Sequence, residues 1–304
     1  MSHQHITVTQ VGGRIGAEIG NVDLSRALSD ETVSEIRQAL VRHKVIFFRG
    51  QQLDERGQIA FASRFGPVTR AHPTVPSLPG HPEVLDLDYS RSEARANNWH
   101  TDVTFVENPP LGSVLRALVL PPAGGDTIWA NSVTAYDDLP PSLRQFADSL
   151  SAVHSNAYDY AGALADLSQN ARERKAQFES IEYETLHPVV RVHPESGERG
   201  LFIGGFVRRL KGYSPTQSAD IVRVLQSYVL QPENQVRWKW QLGDIAFWDN
   251  RATQHYAVAD YGSEPRHMRR VTIVGDVPVG VNGQRSSVIK GDAAAYNRFE
   301  RLAA

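Results

Sequence analysis

The chain reads as a mainly β protein with flanking helices, an α+β chain whose strands build a sandwich or barrel. Three observations predict this. From about residue 97 the sequence falls into short β-branched or aromatic stretches bounded by Gly, Pro, Asn or Asp. Helical patterns are few and sit between those stretches. Pro and Gly are scattered, with no repeat, low-complexity tract or linker, which favours one continuous domain over residues 1–304.

Taken in order, "ITVTQVGGRIGAEIGNVDLS" alternates and turns like a short strand pair. Ser29 can then cap a helix with Asp30 and Glu31 in its first turn and Val33, Ile36 and Leu40 on its apolar face. "KVIFFRG" follows as a buried strand ended by Gly50. Further strands are expected in "WHTDVTF", "GSVLRALVL", "DTIWANS", "HPVVRVHP", "RGLFIGGF", "QVRWKWQ", "DIAFWDN" and "MRRVTIVGD". Two helices interrupt them. One comes after "LPPSLRQFADSL"; the other is capped by Ser214, starts with Pro215 and carries Ile221, Val222, Leu225 and Val229 on one stripe. Residues 155 to about 185 are polar and long for a connection, so they read either as a partly helical lid or as a solvated insertion.

Composition narrows the function classes. A formal charge of -2 and no basic block give no field for nucleic acid or an anionic membrane. Small molecules and other copies of the chain are the expected partners. With no cysteine, disulfides, thiolate metal sites and cysteine nucleophiles are excluded. The first residues lack a cationic segment followed by an apolar stretch, and no run approaches the roughly 18 apolar residues of a membrane span. The expectation is a cytoplasmic protein.

The chemistry concentrates in "NNWHTDVTF". On a strand, His100 and Asp102 would share a face, close enough to hold neighbouring positions around one ion. Among eleven histidines this spacing is a common accident, so it needs support. The competing pairs His81/Glu83 and His193/Glu195 are both His-Pro-Glu, which suggests surface or turn residues. Support comes from "WDNRATQHYAVADY", where His255 follows an aromatic strand and a turn. Two histidines and one carboxylate form the facial set of non-haem Fe(II) oxygenases; catalytic zinc is the lesser option, since HExxH is missing. In "EPRHMRRVTIV", Arg266 and Arg270 differ by four, so a strand would aim both toward one side, where each could grip a different anion. A solvated edge strand is the bland alternative. A hydrolase has little use for two anion clamps; an oxygenase consuming a dicarboxylate while attacking an anionic substrate needs both.

"WHTDVTF", "GGDT", "HPVVRVHP", "WDNRATQHYA" and the Arg266/Arg270 spacing together resemble the taurine dioxygenase-like Fe(II)/2-oxoglutarate-dependent dioxygenases, from residue 6 to about residue 280. Within them, "RHKVIFFRGQ", "AHPTVP", "HSNAYDYA" and "GFVRRLKGYS" look most like the alkylsulfatase branch. The resemblance implies a double-stranded β-helix, or jelly roll, with helices outside. It implies Fe(II) on His100, Asp102 and His255, and 2-oxoglutarate and O2 as co-substrates. The far carboxylate of 2-oxoglutarate would rest on Arg266 and Thr127, with Arg270 on the same side. Arg270 and His72 would clamp a sulfate or sulfonate, and Val103 would line that pocket, although a regular strand turns Val103 away from Asp102. Without the family, Thr127 reads as an ordinary strand residue and His72 as a surface one. Where taurine dioxygenases place a tyrosine and an asparagine, this chain offers Val75 and Ala96, a wall suited to an alkyl tail and not to an ammonium. The expected reaction is hydroxylation of the carbon next to the sulfate ester of an alkyl sulfate, giving aldehyde and sulfate, with succinate and CO2. The alternatives are a taurine or alkylsulfonate dioxygenase releasing sulfite, a metal-dependent hydrolase, or a non-catalytic jelly-roll binding protein. A homo-oligomer, dimer or tetramer, is also implied.

Overall fold

The computed structural model describes residues 4–89, 96–157 and 169–297. Its frame is a seven-stranded sheet running, in space, Thr7–Gln10, Ala17–Gly20, Val45–Phe48, Ile245–Asp249, Gly112–Val119, His267–Ile273, Val84–Asp88. Strands from opposite ends of the chain are neighbours in it. Among the described strands only Ala17–Gly20 and Val45–Phe48 pair in parallel. Smaller sheets supply the rest: Gln235–Trp238, Thr127–Asn131 and Thr253–Ala257 in one, Val207–Leu210, Ser151–Ser155, Glu184–Pro188 and Ser287–Lys290 in another, and the pair Val190–Val192 and Arg199–Leu201 in a third. The architecture is a jelly roll with a few helices, as the sequence led us to expect.

Side-chain alternation explains the layering. In Val45–Phe48, Ile46 and Phe48 join one apolar cluster while Val45 and Phe47 join another. Ile245–Asp249 divides likewise, with Ile245 and Phe247 on the first side and Ala246 and Trp248 on the second. The first side is covered by the helix Asp30–His43, through Ile36 and Leu40, and by the helix Glu55–Ser63, through Ile59 and Phe61. The second faces Trp129, Val236 and Trp238 of the three-stranded group, where Phe47 stacks on Trp238 at 3.9 Å between centroids. This aromatic layer joins the two sheets; losing Phe47 to alanine should cost about 3–5 kcal/mol.

The anticipated N-terminal strand pair and two capped helices are present. Ser29 accepts from the Thr32 amide, and Ser214 forms a capping box with Gln217 at the head of Pro215–Val229. Other boundaries differ. The helix Pro141–Asp148 lies inside "LPPSLRQFADSL", and the helix Glu55–Ser63, capped by Asp54, was not anticipated. "HPVVRVHP" breaks at Val189 into strands of two different sheets. Of the 155–185 stretch, 169–178 is helical, while 158–168 lies outside the described residues.

Candidate active site

His255 lies on the strand Thr253–Ala257, and His100 meets it through a single antiparallel bridge in which each backbone amide donates to the other's carbonyl, at 3.1 and 2.8 Å. Their rings stand 4.2 Å apart between centroids. The predicted strand "WHTDVTF" ends there. Asp102 begins a turn, and it is the turn, not strand alternation, that brings its carboxylate back beside His100. Asp102 Oδ1 is 4.0 Å from His100 Nε2 and 3.8 Å from His255 Nε2. All three side chains are buried, and their candidate ligand atoms lie within 4.8 Å of one another.

These residues fit an ion. Two donors at about 2.1 Å from one metal stand at most ~4.2 Å apart, which accommodates both carboxylate-to-imidazole separations. His100 Nδ1 donates to the Asn98 carbonyl at 2.7 Å, so its inward Nε2 presents the lone pair. Burial holds both imidazoles below their ordinary pKa, that of His255 well below, and so keeps them neutral. Burial alone would raise Asp102, but the Arg270 guanidinium, the two histidines and Ser113 outweigh it and keep the carboxyl below its usual range. Neutral imidazoles and an ionised carboxylate are the ligating forms.

The two arginines are buried on the inner side of the sheet, Arg266 just before His267–Ile273 and Arg270 within it. Arg266 Nε donates to the Gly125 carbonyl at 3.0 Å and its Nη2 to Thr127 Oγ1 at 3.5 Å. Thr127 Oγ1 also accepts from Trp240 Nε1. Gly125 has φ +71, and a Cβ there would sit 3.1 Å from Arg266 Cδ, so glycine lets the chain pass the guanidinium. Among the described residues no carboxylate forms an ion pair with Arg266. Arg270 Nη1 donates to Asp102 Oδ1, and its buried Nε has no hydrogen-bond partner among the described residues. Solvated arginines are therefore not what the strand carries.

His72 is half-buried, contrary to a surface reading, and feels the charges of both Arg270 and Asp102. Burial, then Arg270, lowers its pKa to about 3. Its Nδ1 accepts from the backbone amides of Thr74 and Val75, each at 3.2 Å, which leaves the proton on Nε2 as a donor. Val103 is buried at φ +52, a costly conformation for a β-branched residue. That backbone places it in an apolar cluster with Phe105, Phe178 and Phe206, against which Val75 packs. A regular strand would turn Val103 away from Asp102, but the chain turns at Asp102 and does not continue as a strand. Ala96 stays outside this cluster, its carbonyl accepting from the Ala257 amide.

Several supporting residues were not foreseen. Ser113 Oγ donates to Asp102 Oδ2 at 2.7 Å, and Asn250 Nδ2 donates to Ser113 Oγ at 2.9 Å. His187 Nε2 donates to the Thr104 carbonyl at 2.7 Å, holding the turn that carries Asp102. His193, read from sequence as a surface residue, is buried and meets Asp249 Oδ2 at 3.0 Å. Glu83 is also buried; both His-Pro-Glu segments do sit at turns beside strand ends, but His193 and Glu83 are not surface residues. Neither pair joins the candidate metal group.

A jelly roll presenting two histidines, one carboxylate and two interior arginines defines a non-haem Fe(II) dioxygenase class. Residues 7–272 match the family described as taurine catabolism dioxygenase TauD, TfdA. The chain is 57% identical over 284 residues to the alpha-ketoglutarate-dependent sulfate ester dioxygenase of Pseudomonas putida, covering 92% of this chain and 93% of that one. It is 51% identical over 282 residues to the alkylsulfatase of Acinetobacter baylyi, covering 92% and 88%. A solved taurine dioxygenase from Burkholderia xenovorans superposes with a TM-score of 0.81 at 39% identity, over 97% of this chain and 98% of that one. The chain belongs to the TauD, TfdA dioxygenase family. It is accordingly an Fe(II)- and 2-oxoglutarate-dependent dioxygenase, which sets aside the hydrolase and the non-catalytic module. Among the described residues no helix is long and apolar enough to cross a membrane.

Proposed function

We propose that the protein oxidises alkyl sulfate esters. One oxygen atom of O2 goes to the carbon bearing the sulfate oxygen and the other to succinate, as 2-oxoglutarate loses CO2. The hydroxylated ester then collapses, its C–O bond to sulfate breaking to give an aldehyde and sulfate. Fe(II), held by His100, Asp102 and His255, supplies the O2 chemistry when bound.

The chain's own residues set the geometry. Arg266 and Thr127 would take the far carboxylate of 2-oxoglutarate, since their donors converge and no carboxylate among the described residues pairs with the guanidinium. Arg270, next to Asp102, would orient both co-substrate and substrate, and with the Nε2–H of His72 would clamp the sulfate. The observation that carries the substrate class is what flanks this clamp: Val103, Phe105, Phe178 and Val75 form an apolar wall. Each methylene buried there contributes about 0.8 kcal/mol, whereas an ammonium would lose its hydration without a partner. The Pseudomonas and Acinetobacter relatives support the same reading. Release of sulfite from taurine or another sulfonate is the second reading, favoured by the Burkholderia neighbour.

The test is succinate formation with Fe(II), 2-oxoglutarate and a panel of linear alkyl sulfates, alkylsulfonates and taurine. Alkyl sulfates should stimulate it most and release stoichiometric sulfate. Stimulation by taurine above every sulfate would overturn the substrate claim. We further infer that residues 1–304 form one catalytic unit, and that the helix Gln169–Phe178 borders the site; Phe178, whose ring lies 5.2 Å from that of His72, supports this. The family resemblance also supports a dimer or tetramer, to be checked by light scattering, and a cysteine-free chain suits a cytoplasmic location, to be checked by fractionation.

A further inference from the structure

The C-terminal segment "GDAAAYN" reaches the loop that carries His72, the Arg70 amide donating to the Tyr296 carbonyl. The strand Ser287–Lys290 pairs with Glu184–Pro188 and delivers the chain to Gly291, at φ +82, where a Cβ would stand 2.6 Å from Tyr183 Cδ1. Asp292 Oδ1 accepts from the Ala294 amide and starts one short turn, from which the Tyr296 side chain is buried in the apolar cluster of Val103, Phe105 and Phe178. Tyr296 then ties two elements together. Its hydroxyl meets Thr272 Oγ1 at 3.3 Å, Thr272 Oγ1 meets Thr69 Oγ1, and Thr69 Oγ1 donates to the Arg70 carbonyl at 2.6 Å. In return the Arg70 amide donates to the Tyr296 carbonyl at 3.1 Å. Thr272 is two residues from Arg270 on the same strand face, and Arg70 is two residues from His72.

We propose that Tyr296 is a positioning residue for the sulfate ester, its ring completing the wall for the alkyl chain and its hydrogen bonds fixing the spacing between His72 and Arg270. This rests on the alkyl sulfate reading. Arg266 and Thr127, which would hold the far carboxylate, lie outside the latch, so 2-oxoglutarate binding should respond much less than binding of the sulfate ester.

Two variants that keep the site filled test the proposal, Tyr296→Phe and Tyr296→Leu. Three readouts are used: steady-state KM for hexyl sulfate and for 2-oxoglutarate, calorimetric binding of hexyl sulfate to the anaerobic Fe(II)- and 2-oxoglutarate-loaded enzyme, and hydrogen exchange of residues 69–75. Tyr296→Phe should raise the hexyl sulfate KM and Kd about three- to tenfold, and Tyr296→Leu more, with the 2-oxoglutarate KM within twofold. Exchange in 69–75 should quicken in both. Unchanged exchange in 69–75, or a 2-oxoglutarate KM rising in step with that of the sulfate, would overturn it. If wild-type enzyme neither binds nor turns over any alkyl sulfate, the substrate reading fails by itself, and the exchange experiment still decides whether Tyr296 fixes the His72 loop.

Discussion

Asp102 and Asp249 are both buried carboxylates facing an arginine, yet only one pair has capacity left for a ligand. Asp249 Oδ1 accepts from the Arg251 amide and Nε, and its Oδ2 accepts from Arg251 Nη2 while meeting His193 Nε2. The remaining Arg251 Nη1 donates to Glu195 Oε1. Around Asp102 the guanidinium is only partly used, with Arg270 Nε unpartnered among the described residues. In both, burial pushes the carboxyl upward, and the neighbouring arginine together with the other groups around it more than reverses it. A depressed carboxyl therefore marks either a brace or a site; unspent hydrogen-bonding capacity separates the two.

The sharpest break between the pairs is chemical. Asp102→Asn should lower succinate formation by more than ~100-fold and lose iron, measured by metal analysis of the purified protein, since even supporting partners of a metal site are worth 10- to 100-fold. Asp249→Asn should instead act on stability, costing about 1–3 kcal/mol in urea unfolding, since Arg251 loses one buried carboxylate and keeps only Glu195. A pH series sharpens the contrast. The depressed Asp249 carboxyl contributes stability that is complete above its ordinary value of 3.8 and is lost as pH falls below it. The wild-type urea midpoint should thus drop more steeply than that of Asp249→Asn between about pH 4 and 2.

Smaller effects separate the two interior arginines. Arg266→Ala should raise the 2-oxoglutarate KM about 10- to 100-fold, and Arg270→Ala should do the same chiefly for the sulfate ester; exchanged effects would reverse the assignment of the anions. Ser113→Ala should be mildest, about tenfold in iron affinity by equilibrium titration, because Asp102 keeps its contact with Arg270.

Much of this was legible in residue spacing. The interval between Arg266 and Arg270 placed both on one side because strand parity is local, and Ser29 and Ser214 announced their helices for the same reason. The His100/Asp102 interval pointed to the right pair through the wrong geometry, a strand where the chain turns. Residues that act across the fold left no local signature. His187 reaches Thr104 and His193 reaches Asp249 only once distant strands have paired, and a neighbouring proline made the latter histidine look like a surface residue. The turn at Val103 was equally hidden, since valine is a residue that sequence rules assign to extended backbone.

Val103 also bears on how this enzyme would respond to engineering. Its left-handed backbone stores about 1–3 kcal/mol that glycine, or to a lesser degree asparagine, would relieve. A screen for heat tolerance alone should favour such replacements early, and each one retained would remove a hydrophobic side chain from the proposed substrate wall. Resilience and selectivity are set against each other at that position, so an improved catalyst would have to find its robustness elsewhere in the jelly roll.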